Sequence, residues 1–243
     1  MSAIDPDYRR WVTDKYNSLN RIWAPNDLWH SRMREEIFAA FRRVRALHPE
    51  PFDLVIDLGS GGFTQDIHCQ KYIHVDLALQ KIEGTALAVC ADTHRLPFRD
   101  QTADCLVCVG SVINYCSLIE AINEIGRVSK LGAIVILHVE LSNSLELLWT
   151  PHFRAEATFV RTAYQGEELI WLYSRRNILA ALANSGLRII SEVYLHTFTA
   201  LAYRIVRNRN IAARLATADR VIGRIPIVGE LADNAIFICE KST

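Results

Sequence analysis

The chain has 243 residues, half of them hydrophobic, and its 27 basic side chains balance 27 acidic ones. That length buries a real core in one large domain or in a core with appendages, and no apolar run approaches the ~18 residues that cross a bilayer. Balanced charge argues against a large DNA or RNA footprint, and the charged start MSAIDPDYRRWVTDKYNSLN has no secretory h-region, so a cytoplasmic protein is expected.

Residues 5–23 place Tyr8, Trp11, Val12, Tyr16, Leu19 and Trp23 at helical spacing. A second helix follows, with a cap at Ser31, Glu35 and Glu36 in its first turns, a stripe of Met33, Ile37, Phe41 and Val44, and a stop at Pro49. From residue 52 strands and helices alternate. Strands are expected at 53–58, 72–77, 85–91 and 103–110, a helix at 117–130, and a fifth strand at 132–141. Near-continuous apolar strands separated by helices indicate a parallel sheet covered on both faces.

After the fifth strand, ATFVRTAY and EELIWLYS flank Gln165-Gly166 as an inserted hairpin. Ser174 caps the helix RRNILAALANS, which stops at Gly186, and a sixth strand occupies 187–195. Residues 196–233 form a mostly helical insertion, and NAIFICEK (234–241) returns as an antiparallel seventh strand. The domain reading is a helical extension or lid at 1–50 and a main domain at 51–243, with insertions at about 142–175 and 196–233.

Six cysteines are scattered along the chain: Cys69, Cys90, Cys105, Cys108, Cys116 and Cys239. Cys105 and Cys108 form a CxxC, but within a strand residues three apart point to opposite faces. Reduced, mostly buried thiols are expected, and no metal site.

The stretch DLVIDLGSGGFTQDIHCQKYIHVDL (53–77) suggests a nucleotide-type ligand. Its first strand ends near Asp57, so Gly59, Ser60 and Gly61 lie at the crevice where such sheets bind ligands, and glycine lets a ligand approach the backbone. Asp76 ends the next strand, where a carboxylate can accept both hydroxyls of a ribose. Asp92 stands where an exocyclic adenine amine could be accepted, with Leu96, Pro97 and Phe98 as walls. The order VIDLGSG, HVDL, AD…LPF…ADCLVCVGSV and EIGRVSKLGAIVIL resembles the class I S-adenosylmethionine-dependent methyltransferases, particularly the broad type 11 group, over roughly 52–195 and the final strand.

The resemblance implies a Rossmann-like, three-layer αβα fold around a seven-stranded, mostly parallel sheet with a reversed last strand. It implies S-adenosylmethionine as cofactor. Gly59, Ser60 and Gly61 would line its methionine portion, and Asp76, with Leu77 beside it, would hold the ribose. Asp92 and Thr93 would face the adenine, Gly110 and Ser111 would lie beneath the cofactor, and Asp57 would orient the glycine loop and the ammonium. The chain departs from the pattern at Phe63, where the family has a third glycine, and in the thirteen residues 59–71 between the strands. So short a crossover leaves room for two helical turns at most, close to the ~10–12 residue minimum. A nicotinamide pyrophosphate needs a full helix N-terminus there; a methyl donor without phosphate does not. Phe63 would press on the cofactor or fill space.

Candidate acceptor-site groups are Asn114 and Tyr115 after the fourth strand and His138, as a general base, with Glu140 in the fifth. His30, His94, His152 and His196 are further pocket-lining candidates. The expected acceptor is a small molecule, with lipid-like or anionic character left open. The alternatives are a non-catalytic cofactor-binding regulator or assembly protein, an RNA or protein methyltransferase, and, most distant, a nicotinamide oxidoreductase. Aromatic residues Tyr8, Trp11, Tyr16, Trp23 and Trp29 suggest a lid. The insertion sets Arg204, Arg207, Arg209, Arg214, Arg220 and Arg224 among Leu201, Tyr203, Ile205, Val206, Ile211 and Leu215. Such a basic amphipathic segment suits a peripheral membrane contact, an anionic substrate or a second subunit in a homo-oligomer.

Overall fold

The computed structural model describes residues 5–20, 27–163, 166–214, 219 and 230–242. Trp23, Tyr164, Gln165, Leu215, Arg220 and Arg224 lie outside the described residues. Helix α1 (Pro6–Ser18) starts with Pro6 behind an Asp5 cap, whose carboxylate accepts the Asp7 N–H. Helix α2 (Leu28–Leu47) is capped by Asp27, one turn before the expected Ser31. Asp27 wins because its carboxylate accepts both the His30 N–H, at 3.1 Å, and the His30 ring, at 2.7 Å.

Seven strands form one sheet: β1 (Phe52–Leu58), β2 (Cys69–Asp76), β3 (Ala88–Cys90), β4 (Ala103–Cys108), β5 (Ser129–Glu140), β8 (Leu187–Leu195) and β9 (Asn234–Lys241). The spatial order is β3-β2-β1-β4-β5-β9-β8, with β9 antiparallel to both β5 and β8 and the other pairs parallel. The reversed strand is thus present, inserted one place in from the edge. β6 (Ala157–Ala163) and β7 (Glu167–Tyr173) make the separate hairpin.

Each strand shows its two faces in alternation. Ile56, Leu58, Leu106, Cys108, Leu137 and Phe237 pack on one face with Ile122 and Ile125 of α4 (Leu118–Val128) and Ile178 and Leu182 of α5 (Arg175–Asn184). Val55, Cys105, Val107, Ile136 and Ile236 pack on the other with Met33, Ile37, Phe41 and Val44 of α2. The sheet therefore has helices on both sides, and α2 is the second outer layer. Cys105 and Cys108 fall in opposite faces, as strand parity requires.

The second strand begins at Cys69, three residues earlier than expected, so residues 59–68 alone connect β1 to β2, with no helix. Helix α3 (Leu79–Ile82) is one turn, and β3 is a short remnant of the expected 85–91 strand. The 196–233 insertion begins with α6 (Thr197–Val206) and α7 (Arg209–Ala213), where Ala200 and Ala212 pack around Trp29. Among the described residues no helix is long and apolar enough to cross a membrane.

Because α2 is built into the core, Phe41→Ala should cost about 3–5 kcal/mol. Urea unfolding should show this as a lower midpoint with an unchanged slope.

Candidate functional site

Along the sheet β1 has β2 on one side and β4 on the other, so chain order reverses between β1 and β4. A cavity of about 770 Å³ opens there at the strands' carboxyl ends. Small-molecule sites span roughly 300–1,000 Å³. Its floor is the 59–65 loop with Asp57, Asp76 and Asp92, and its roof is α1, through Arg9, Val12 and Tyr16, with Ile37 and Phe38 of α2 alongside.

The loop is held to β2 by the Gly59 and Ser60 N–H groups, which donate to the Val75 carbonyl at 2.8 and 3.2 Å. Gly59 has φ +65°, and a Cβ there would lie 2.3 Å from Val112 Cγ2. Gly62, at φ +78°, lies so close to α3 that a Cβ would stand 2.2 Å from the Lys81 carbonyl oxygen. Both positions demand glycine, in conformation and in space.

Asp57 is 1 % exposed and accepts the Tyr72 hydroxyl at 2.6 Å. Burial pushes its carboxyl up to about 8, and the neighbouring Asp76 adds to the rise. Asp76 braces the loop: Oδ2 accepts the Gly61 N–H at 2.9 Å and Oδ1 the Ala78 N–H at 2.8 Å. Its carboxyl is raised too, chiefly by burial, with those backbone donors pulling the other way.

Asp92 is held from two sides. Oδ1 accepts from the His94 N–H and ring, and Oδ2 pairs with Arg9 of α1 at 2.7 Å. Burial alone would raise it; the His94 and Arg9 donors hold it below the usual carboxylate range. His94 Nε2 accepts the Ser117 N–H at 2.7 Å, which puts the proton of a neutral ring on Nδ1, facing Asp92.

The cavity gathers Asp57, Gly59, Ser60, Gly61, Phe63, Asp76, Leu77, Asp92, Thr93, Gly110 and Tyr115 from the sequence expectation, together with His94. Phe63 stands at the mouth, about half exposed. Three expected residues sit behind the wall. Ser111 donates its N–H to His138 Nδ1 at 3.1 Å. His138 is fully buried and does not line the cavity, and burial drives its ring down to about 3. A base at neutral pH needs access and proton affinity, and this imidazole has neither. Asn114 spends its amide on backbone: Nδ2 donates to the Glu140 and Trp171 carbonyls at 2.9 and 2.7 Å, and Oδ1 accepts the Glu140 N–H at 2.9 Å. It ties β5 to the hairpin.

A second cavity of about 240 Å³ lies beyond Tyr115, lined by Glu140, Glu146, Glu168 and Asp233 against Arg204, Arg207 and Arg209. His30 and His152 line it as well. Burial, then crowding by neighbouring acids, raises both Glu140 and Asp233. His196 is buried and stacks on Trp29 at 4.1 Å between ring centres.

The sequence reading missed Tyr72 and Arg9. Tyr72 shares strand parity with Asp76, which was the available signal; the contacts of Arg9 depend on where α1 docks and left no trace in spacing.

A methyltransferase-domain family model matches residues 54–137. A curated relative, an uncharacterized protein of Methanocaldococcus jannaschii, is 31 % identical over 100 residues, which are 38 % of this chain and 43 % of that one. The match thus spans less than half the length of that relative. Among solved structures, geranyl diphosphate C-methyltransferase from Streptomyces coelicolor A3(2), in complex with Mg2+, geranyl diphosphate and S-adenosyl-L-homocysteine, aligns with TM-score 0.60. It is 13 % identical, over 98 % of this chain and 99 % of that one. A geranyl diphosphate methyltransferase with sinefungin aligns at 0.61 and 14 % identity over the same shares. The [4+2]-cyclase SpnF aligns at 0.53 and 18 % identity, over 86 % of this chain and 82 % of its own. At these identities the structural likenesses establish the fold.

Gly59→Ala should destabilise the protein by about 1–2 kcal/mol from left-handed strain and about 1–3 more from overpacking on Val112. In thermal melts the added Val112→Ala change should recover the steric part and leave the backbone part.

Proposed function

We propose that this chain, whose residues 54–137 match a methyltransferase-domain family model and whose fold is that of the class I S-adenosylmethionine-dependent methyltransferases, transfers a methyl group from S-adenosylmethionine to a small-molecule acceptor. One observation carries the reading. Asp57 is a buried carboxyl facing a cavity, with a phenol as its hydrogen-bond partner and a second acid nearby. An amino-acid ammonium would relieve that pair of acids, and the adjoining glycine loop leaves backbone open to a ligand.

The rest of the cavity suits the other parts of the cofactor. Asp76 keeps lone pairs for ribose hydroxyls beyond the two N–H groups it accepts. Thr93 and Asp92 line the adenine end, where the Arg9 pair shares Asp92 Oδ2 with any incoming amine. The cofactor supplies an electrophilic methyl carbon; the protein supplies position. Val12, Ile37, Phe38 and Phe63 give the cavity an apolar side, which suits an acceptor with an apolar body. Methylation of a macromolecule is disfavoured by the helical roof and balanced charge.

Calorimetry with S-adenosylhomocysteine is the direct test: binding is expected, and none at millimolar ligand would remove the reading. Asp76→Ala should weaken binding by about 1.5–3 kcal/mol, roughly 10- to 150-fold, as for a lost charged hydrogen bond. An unchanged affinity would take Asp76 out of the site.

Asp57 sets a pH signature. Its empty-site carboxyl is protonated below about 8, while an ammonium binds the carboxylate. Affinity should therefore fall as pH drops below about 8, by at most about tenfold per unit, with up to one proton released per ligand bound at neutral pH. Titrations in buffers of different ionisation enthalpy should detect the proton, and Asp57→Asn should abolish its release.

A further inference from the structure

Beside the residues proposed to hold the cofactor, the same cavity is lined by two linked hydroxyls to which that reading gives no role. Tyr16 of α1 and Tyr115, which follows β4, both line the cavity. The Tyr16 hydroxyl donates to the Tyr115 hydroxyl at 2.9 Å, with the two rings edge-on at 5.6 Å. Tyr115 in turn donates to Glu168 Oε1 on β7. Lys15 pairs with the same carboxylate oxygen at 3.3 Å, and Thr162 donates to Oε2 at 3.2 Å. Glu168 lines the second cavity, not the first. Three elements distant in sequence thus form one directed chain, with the cavity-lining Tyr16 at one end and the Glu168 carboxylate at the other.

Resting on the methyltransferase reading, we propose that this chain is a proton relay and that the acceptor is a hydroxyl, hydrogen-bonded to the Tyr16 oxygen. The Tyr16 hydroxyl donates its hydrogen bond to Tyr115, so its oxygen keeps lone pairs for a donor in the cavity. A neutral hydroxyl is such a donor and must lose its proton to become a methyl ether. As the acceptor oxygen bonds the methyl carbon, the carbon–sulfur bond breaks and its electron pair stays on sulfur. The acceptor proton passes to Tyr16, the Tyr16 proton to Tyr115, and the Tyr115 proton to Glu168. Charge balances: one positive charge leaves the sulfonium and one carboxylate becomes neutral. Burial is the first cause that raises both phenols; Glu168 follows for Tyr16, and Tyr16 and then Glu168 for Tyr115, while Glu140 and Asp76 act on Tyr16 in the same direction. Neither tyrosine therefore stands as a phenolate, and the proton moves through them in concert. A thiolate or carboxylate acceptor would carry no proton and leave the relay idle.

The test uses methyl-labelled S-adenosylmethionine with fractionated cell extract as the acceptor source, and calorimetry with S-adenosylhomocysteine on every variant. Tyr16→Phe, Tyr115→Phe and Glu168→Gln should bind S-adenosylhomocysteine within a few-fold of the parent, while transfer falls about 100- to 10,000-fold, the worth of general-base catalysis. The residual transfer should rise with pH by about tenfold per unit, because the acceptor must then ionise unaided, whereas the parent stays flatter. Acetylating the extract's hydroxyls should abolish labelling, and alkylating its thiols should not. Tyr16→Phe keeps the ring contact and breaks one link alone, so it reports on the relay even if a Glu168 variant unfolds in melts. Variants that bind and still transfer within a few-fold of the parent would overturn the relay. Labelling that survives acetylation, or is lost on alkylation, would overturn the hydroxyl acceptor. A parent that binds no S-adenosylhomocysteine would sink the underlying reading, and the relay with it.

Discussion

The site depends on one constraint of chain length: residues 59–68 must carry the chain from the end of β1 to the start of its parallel neighbour β2. A parallel crossover of so few residues has no room for a helix that packs back on the sheet. Two consequences follow. The loop turns through left-handed glycines and presses against α3 and Val112, which fixes the position of Asp57 and Asp76 around it. The sheet face such a helix would cover is taken by α2, which arrives from upstream. Met33, Ile37, Phe41 and Val44 bury there, at about 1.5–3 kcal/mol each. With α2 so placed, its Ile37 and Phe38 reach the cavity edge.

Helix α1 is held differently. It buries Tyr8, whose hydroxyl donates to the Leu169 carbonyl at 2.8 Å, and touches the hairpin through Lys15 and Glu168. On the opposite side Arg9 reaches Asp92, and Lys81 donates to the Leu19 carbonyl. The roof thus spans from the hairpin to the adenine end on a few polar anchors and a small aromatic cluster of Tyr8, Trp11, Phe159 and Trp171. Elements held by few buried contacts open at less cost than the core.

Strand parity explains what was legible in the sequence. Alternation fixed the two faces of β1, β4 and β9, and the glycine turn between two acids fixed the cavity floor. The rest turned on contacts that local spacing does not carry. Asn114 follows β4 at a position that suits a substrate group, but an amide offers a donor and an acceptor at once, so here it substitutes for backbone between β5 and β7. His138 shares its face with Glu140, yet lies two residues deeper, where Ser111 covers it. Asp27 and Ser31 are one turn apart and would start the same helix in phase; the His30 ring decides between them. Tyr16 reads as one member of an aromatic stripe, and only the docking of α1 turns it toward Tyr115.

A net charge of zero conceals a segregation. At the strand ends the sheet and its following loops supply the acids Asp57, Asp76, Asp92 and Glu140, and the hairpin supplies Glu168. The cations that meet them come from helices: Arg9 and Lys15 from α1, Lys81 from α3, Arg209 from α7. Asp92 and Glu168 each receive a helix cation at pairing distance. Asp57, deepest of the acids, has instead the Tyr72 phenol, and among the described residues no helix cation is paired with it. Burying a carboxyl without a counterion is costly, and in a fold that supplies cations to its neighbours the omission calls for a cause. A fixed cation at that depth would fill the floor of the cavity. Leaving Asp57 unpaired keeps the floor open, and on the proposed reading the carboxyl, protonated in the empty site, ionises only when an ammonium comes in beside it.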